Sequence, residues 1–344
     1  MKQSVLDSTN ETLSGSSLSD SHKDLMKKQI DHALRMIHKK MIHLYNLDFT
    51  YFSDIRFLTG SEVFDWLTRQ VENNFHKKLT AHERSKLKQF NRVILESQVI
   101  DHFQRLAFYD RKRDTLCISE DLLEDGIQPV IIVSIHELSE KMLSTILHPI
   151  LEKQVQIFKM KSLQIDKVKD LKQIRQLFND YLKVVFGTVF KEGFCEALSL
   201  YTLNNMKTNE TSINLLEKEY KKQHSKHIGL LFDLEKTRKK IGDSETAATG
   251  QDTQYLTTQV TEGKKLVMEA IRNAHIIKGV SYYLGYPLAK AFLDKYGIKK
   301  INTALEKTPP FKAQYFAEPH TYLTLLESQL SHGYLFDEDF HQDL

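Results

Sequence analysis

Cysteine is almost missing from this chain of 344 residues, which holds only Cys117 and Cys195. Two thiols cannot build the disulfide framework of a small secreted domain, and they fit a reducing compartment; whether the two pair is left open by the sequence. Long apolar runs are absent too. No stretch approaches the roughly 18–20 residues that span a bilayer. The polar, serine-rich opening MKQSVLDSTNETLSGSSLSDS has no apolar core of a secretory signal and no arginine. It reads as a disordered tail over 1–22. There is no internal repeat, no phosphate-binding glycine loop, no dinucleotide fingerprint and no paired Cys-x-x-Cys. These absences point to a cytoplasmic protein, at most peripheral at a membrane.

What is present fits about two folded domains. Hydrophobic residues make up 41% and charged residues 27%, an ordinary globular balance with enough apolar side chains for a core. The net charge of +3 hides an asymmetry. Residues 23–114 carry 18 Lys/Arg against 12 Asp/Glu, while 115–344 carry 29 against 30. The basic excess of the first segment suits an anionic partner surface. It lacks the aromatic pattern of an RNA-binding sheet, and nucleic acid is not expected as a partner.

Apolar residues Ile30, Leu34, Ile37, Met41 and Leu44 recur at helical spacing over 23–45. Residues 46–58 read as extended or irregular. A helix is expected from Ser61 as N-cap, with Val63, Trp66 and Leu67 on one face. Trp66, the only tryptophan, is expected in the core. Thr80 and Glu83 form a capping box for a helix over 80–97. Residues 98–118 read as a hairpin with Arg111-Lys112-Arg113-Asp114 at its turn. Residues 129–135, PVIIVSI, fit a buried strand or a helix start. Helices are expected over 136–159, 162–190 (one long polar helix or a pair), 192–206, 213–240, 263–278 and 283–296, with Gly297 just past the last. Residues 242–262 read as a surface loop, Pro309-Pro310 as a helix stop, and 331–344 as an acidic tail.

Phe57, Gly60, Ser61, Glu62, Asp65, Trp66 and Leu67, then Leu87, Val93, Ile94, Val99, Ile100 and Phe103, then a hairpin, resemble a DEP domain over about 25–120. The departure is Gln98-Val99, where Gly-Leu is usual. The resemblance implies a small α+β, winged-helix-like module over 23–120 that docks onto an anionic membrane surface or an acidic protein partner. The candidate docking bases are Lys77, Lys78, Arg111, Lys112 and Arg113. They read equally as solvated turn residues.

Further on, His136-Glu137-Leu138-Ser139-Glu140 resembles the zinc helix of metallopeptidases, in which two histidines at i and i+4 share one face and a glutamate activates water. Here the second histidine is glutamate. Glu192-Gly193-x-x-Glu196-x-x-Ser199 resembles the helix bearing the third ligand in gluzincin-like enzymes. Tyr282-Tyr283-Leu284-Gly285-Tyr286 and Lys295-Tyr296-Gly297 resemble the helix packed behind the site. The resemblance implies a mainly helical, zincin-like domain over 121–330. It gives Glu137 the catalytic role, and His136, Glu140 and Glu192 the metal, with zinc the first candidate. A one-imidazole, two-carboxylate set is more negative and suits harder metals. The alternative readings are structural: His136 as a hydrogen-bonded histidine at a strand–helix junction, Glu137 and Glu140 as helix-start acids, Glu192 as a cap, and Glu196 as a surface ion-pair partner. The expected fold is therefore mostly α, a DEP-like module followed by a larger helical domain. The leading expectation is a docked protein whose protease-like, non-catalytic domain binds a polypeptide. The rivals are an active metal-dependent peptidase with the His/Glu/Glu set, and a pure scaffold.

Overall fold

The computed structural model describes residues 20–59, 61–63, 65–66, 68–69, 80–82, 84–85, 107–123, 126–162, 168–206, 210–247, 253–301 and 311–331. Among these the chain is mostly helical, with one three-stranded sheet. It divides into two compact units, Met1–Met142 with Thr202–Thr208, and Leu143–Tyr201 with Asn209–Leu344. The boundary expected at 120/121 falls inside the first.

In the first unit, α1 (Asp20–Tyr45) buries Met26, Ile30, Leu34, Ile37, Met41 and Tyr45. These steps of three and four residues keep one stripe facing inward. Asn46, with φ +49°, ends the helix in the left-handed region that Asn tolerates. The segment after it ends in the extended form, where β1 (Asp54–Leu58) forms the sheet's first strand. β3 (Thr115–Ser119) lies in the middle, antiparallel to β2 (Ala107–Asp110) and parallel to β1, with Asp54 opposite Thr115 and Leu58 opposite Ser119. All five β3 residues are buried, so this strand is the floor of the unit.

Between β1 and β2, residues 61–63, 65–66, 68–69, 81–82 and 84–85 are helical. The first of these helices is capped by Thr59, not by Ser61. Thr59 carbonyl accepts the Val63 N–H at 3.0 Å, and Glu62 Oε2 accepts the Thr59 N–H at 2.9 Å. Thr59 Oγ1 also donates to Glu62 Oε2 at 3.0 Å, so the glutamate half of a Thr-x-x-Glu capping box is in place. Thr80 accepts the Arg84 N–H at 2.9 Å as expected of a helix start. The expected helix beyond 85, the hairpin arm before 107, Lys77 and Lys78, the Pro309-Pro310 stop and the tails over 1–19 and 332–344 lie outside the described residues, while 20–22, expected in the first tail, open α1 and Ser331, expected in the second, ends the last described helix.

After the short α2 (Glu120–Leu123), α3 (Ile127–Ser162) resolves the ambiguity of residues 129–135 in favour of helix. From Val130 to Leu143 every residue is buried or half-buried, the polar His136, Glu137 and Lys141 included. Pro129 sits in the first turn, where a missing N–H costs nothing. His136 is consequently in mid-helix, not at a strand–helix junction, and Glu137 and Glu140 are too far along to feel the helix start.

The second unit is built on α4 (Leu171–Asn205), α5 (Glu210–His227), α6 (Gly229–Ala247), α7 (Thr253–Tyr296), α8 (Ala313–Ala317) and α9 (Pro319–Ser331). Asp170 Oδ1 caps α4 through the Gln173 N–H at 2.7 Å. Its core is aromatic. Phe190 stacks on Phe311 at 4.7 Å and meets Phe194 at 5.6 Å, and Phe194 meets Phe292 at 5.9 Å.

Three expectations fail here. The helices expected over 162–190 and 192–206 are one, α4, which runs unbroken from Leu171 to Asn205. The segment 242–262 is helical over 242–247 and 253–262. Residues 254–258 are exposed, so these turns show no apolar stripe. They extend a helix that is packed further on, and propagation from a formed helix is cheap. The two helices expected over 263–296 are one, running through Pro287. The bond lost at the proline is outweighed by burial of Tyr283, Leu284, Tyr286, Leu288 and Ala289 around it. Gly297 does end α7, with φ +68° and its N–H on Leu293 carbonyl at 2.9 Å. No described helix is long and apolar enough to cross a membrane.

Candidate functional site

Five of the residues singled out from sequence, Arg111, Lys112, Arg113, Glu137 and Glu140, come together at the β2–β3 hairpin of the first unit. Asp110 Oδ1 accepts the Lys112 N–H at 3.1 Å, and Asp110 carbonyl accepts the Arg113 N–H at 3.2 Å. The turn closes at Asp114, which adopts φ +51°. All three bases of the tip are exposed.

Residues 137, 140 and 141 follow at i, i+3 and i+4 on α3, one face of the helix. All three grip the hairpin. Glu137, buried, accepts the backbone N–H of Tyr109 on Oε2 at 2.8 Å. Glu140 accepts Arg111 Nη2 on Oε1 at 3.0 Å. Lys141, only 4% exposed, donates to Asp114 Oδ1 and to Tyr51 carbonyl, the latter at 2.9 Å. The ammonium also lies 5.5 Å from the Phe52 ring and 5.4 Å from the Tyr109 ring, within cation–π range.

Asp114 is the hub. Ser53 Oγ donates to Oδ2 at 2.6 Å, and Tyr109 Oη donates to Oδ1 at 2.7 Å. Burial works to raise its carboxyl pKa, but the hydrogen bonds from Lys141, Ser53 and Tyr109 outweigh it and hold the value below the ordinary range. Burial and the same carboxylate push the Tyr109 phenol upward. Lys141 was not singled out by sequence. Its signal is a lysine one step past the motif, on the face of Glu137.

His136, buried, and Glu137 and Glu140 belong to the first unit, and Glu192 to the second. Glu192 stands in the middle of α4, not at a cap, and pairs with Lys191 at 3.1 Å. Among the described residues no three His, Cys, Asp or Glu side chains are grouped as a metal would require. Of the docking bases, Arg111 is engaged by Glu140 and Arg113 stands 4.0 Å from Asp110.

In the second unit the two remaining motif segments come together. Gly193 of α4 and Gly285 of α7 touch backbone to backbone, and a Cβ on either would overlap main-chain atoms of the other helix. Three residues on, Glu196 is buried, not at the surface, and accepts Tyr220 Oη on Oε2 at 2.8 Å. Tyr220 meets the rings of Tyr283 and Tyr286 at 5.3 and 5.1 Å, and Tyr286 Oη donates to Glu217 at 3.0 Å. Burial and the Glu196 charge drive the Tyr220 phenol far above its ordinary pKa. Both cysteines are free and buried, and burial pushes the Cys117 thiol up to about 11, away from nucleophilic use at neutral pH.

No family model, curated protein or solved structure matches the chain.

Proposed function

We propose that the first unit is a DEP-like docking module that attaches the protein to an anionic surface, of a membrane or an acidic partner. The second unit is a zincin-like helical body that binds a polypeptide without cleaving it. The observation that carries this reading is the use made of the altered zinc motif. Glu137 and Glu140, which a peptidase would commit to water and metal, here hold the main chain of Tyr109 and the side chain of Arg111. Each carboxylate thus has one of its two oxygens engaged with the hairpin. The same clamp presents Arg111, Lys112 and Arg113 on a stiff turn. Bases near an anionic bilayer contribute about 1 kcal/mol each, which gives weak, salt-sensitive attachment.

Vesicle flotation tests the docking half. The full chain is expected to float with vesicles containing phosphatidylserine and not with neutral ones. Arg111→Ala, Lys112→Ala and Arg113→Ala together are expected to remove that binding. Equal flotation by the triple variant takes the tip out of the reading. Metal analysis of protein purified without added metal tests the other half, and one bound zinc per chain, lost on His136→Ala, would restore the peptidase reading.

A further inference from the structure

β1 has one partner among the described strands. Its other edge carries the backbone N–H and C=O groups that point away from β3, and such an edge is a template for an added strand. A slot of about 290 Å³ lies between this edge and α1, lined by Ser53, Asp54, Ile55 and Phe57 on the strand side and by Lys27, Lys28, Asp31 and Arg35 on the helix side. Ile55 and Phe57 are half-buried and supply an apolar wall.

The charges in the slot are unequally committed. Asp31 accepts Arg35 Nε at 2.9 Å and Tyr51 Oη at 3.1 Å, and Asp54 accepts Arg56 Nε at 2.9 Å. Lys27 lies over the Phe57 ring at 5.1 Å, and the carboxylate paired with it, Asp24, is exposed and 4.0 Å away. Lys28 is exposed and makes no ion pair among the described residues. The two anions of the slot are thus engaged and two ammoniums remain available.

We infer that the slot takes an extended acidic segment of a partner protein, which adds as a strand to the edge of β1 that has no partner among the described residues and sets its carboxylates against Lys27 and Lys28. The inference deepens the reading of the first unit as a docking module and rests on it. Alternate residues of an added strand lie roughly 6.6–6.8 Å apart on one face, so acids two positions apart point into the slot together. A bilayer surface is too flat to enter a slot of this shape, whereas the convex hairpin tip suits one.

The test uses the full chain and an array of labelled nine-residue Thr/Val peptides bearing two glutamates at separations of one to four, read by fluorescence anisotropy. The separation of two is expected to bind tightest. N-methylation of the peptide backbone at alternate residues is expected to weaken it roughly tenfold or more, as is Lys27→Glu with Lys28→Glu. The Arg111/Lys112/Arg113 alanine variant is expected to bind the peptide unchanged, which separates this inference from the vesicle result at the tip. No saturable binding, no preference among separations, or full binding by the N-methylated peptide each overturns it. Loss of vesicle flotation with intact peptide binding in the Lys27/Lys28 variant also overturns it, by making the slot a lipid site.

Discussion

Gly193 and Gly285 let α4 and α7 touch main chain to main chain: a Cβ on Gly285 would stand 3.0 Å from Gly193 Cα and overlap Val189 carbonyl. Main-chain atoms cannot rotate out of the way as a side chain can. Gly193→Ala and Gly285→Ala are therefore each expected to cost about 3 kcal/mol or more, the upper end of overpacking. Gly242→Ala, inside α6 with nothing within 4 Å of its Cβ, is expected to gain about 1 kcal/mol from helix propensity. Urea denaturation of the three variants separates crossing from propensity. Equal effects would show that the close approach is not needed.

Asp114→Asn keeps the left-handed turn, which Asn tolerates, and removes the charge facing Lys141. A buried ammonium is then left without its counter-ion. The expected loss is about 3 kcal/mol, the lower end for a broken buried pair because the Asp114 side chain is 33% exposed. Lys141→Met with Asp114→Asn is expected to recover part of it. A double variant less stable than either single one would contradict the pairing.

Glu140→Ala frees Arg111 at the hairpin tip. One more unpaired base is worth about 1 kcal/mol at an anionic surface, so the variant is expected to float with phosphatidylserine vesicles more strongly than the native chain. Weaker flotation would mean that the pair matters by holding the tip in shape.

Two partly buried groups contribute to the acid response. His224 Nε2 lies 3.0 Å from Phe316 carbonyl, and burial, only partly offset by that bond, lowers its pKa below 6.5. Its neutral form is the folded one. Stability is retained above pH 6.5 and falls as pH drops from 6.5 through the lower folded value, where the unfolded chain binds the proton more readily. The Asp114 pKa is also depressed, from an ordinary 3.8. Its contribution is present above about pH 4 and is lost as pH falls through the folded value. His224→Gln is expected to flatten the first window and leave the second. An unchanged slope below pH 6.5 would remove His224 from the account.

Trp66 is half-buried, not a full core residue, with its ring stacked on Phe108 at 3.7 Å. The lone indole is expected to emit between the buried and solvated limits. Phe108→Ala is expected to shift the emission toward the solvated limit, and no shift would place the indole elsewhere.

Local periodicity carried much of the fold. The stripe from Ile30 to Met41, the turn at 111–114, the Thr80 start and the Gly297 stop are each fixed by a few neighbouring residues, and each stands where pattern puts it. The half-formed capping box at Thr59 and Glu62 was equally legible, one position pair away from the Ser61 chosen. Pattern failed where packing decides. Residues 129–135 have no period to distinguish strand from helix, and the exposed turns at 254–258 show no stripe at all. The tertiary structure also decided what the motif residues do. Spacing put Glu137 and Glu140 on one face of a helix, but only the approach of the β2–β3 hairpin to that face made them hydrogen-bond acceptors for Tyr109 and Arg111. Gly193 and Gly285 are two glycines among thirteen in the chain, and their meaning lies in a crossing of helices ninety-odd residues apart. A sequence fixes which side chains share an element's face. What that face meets is set by the long-range burial that folds one element against another.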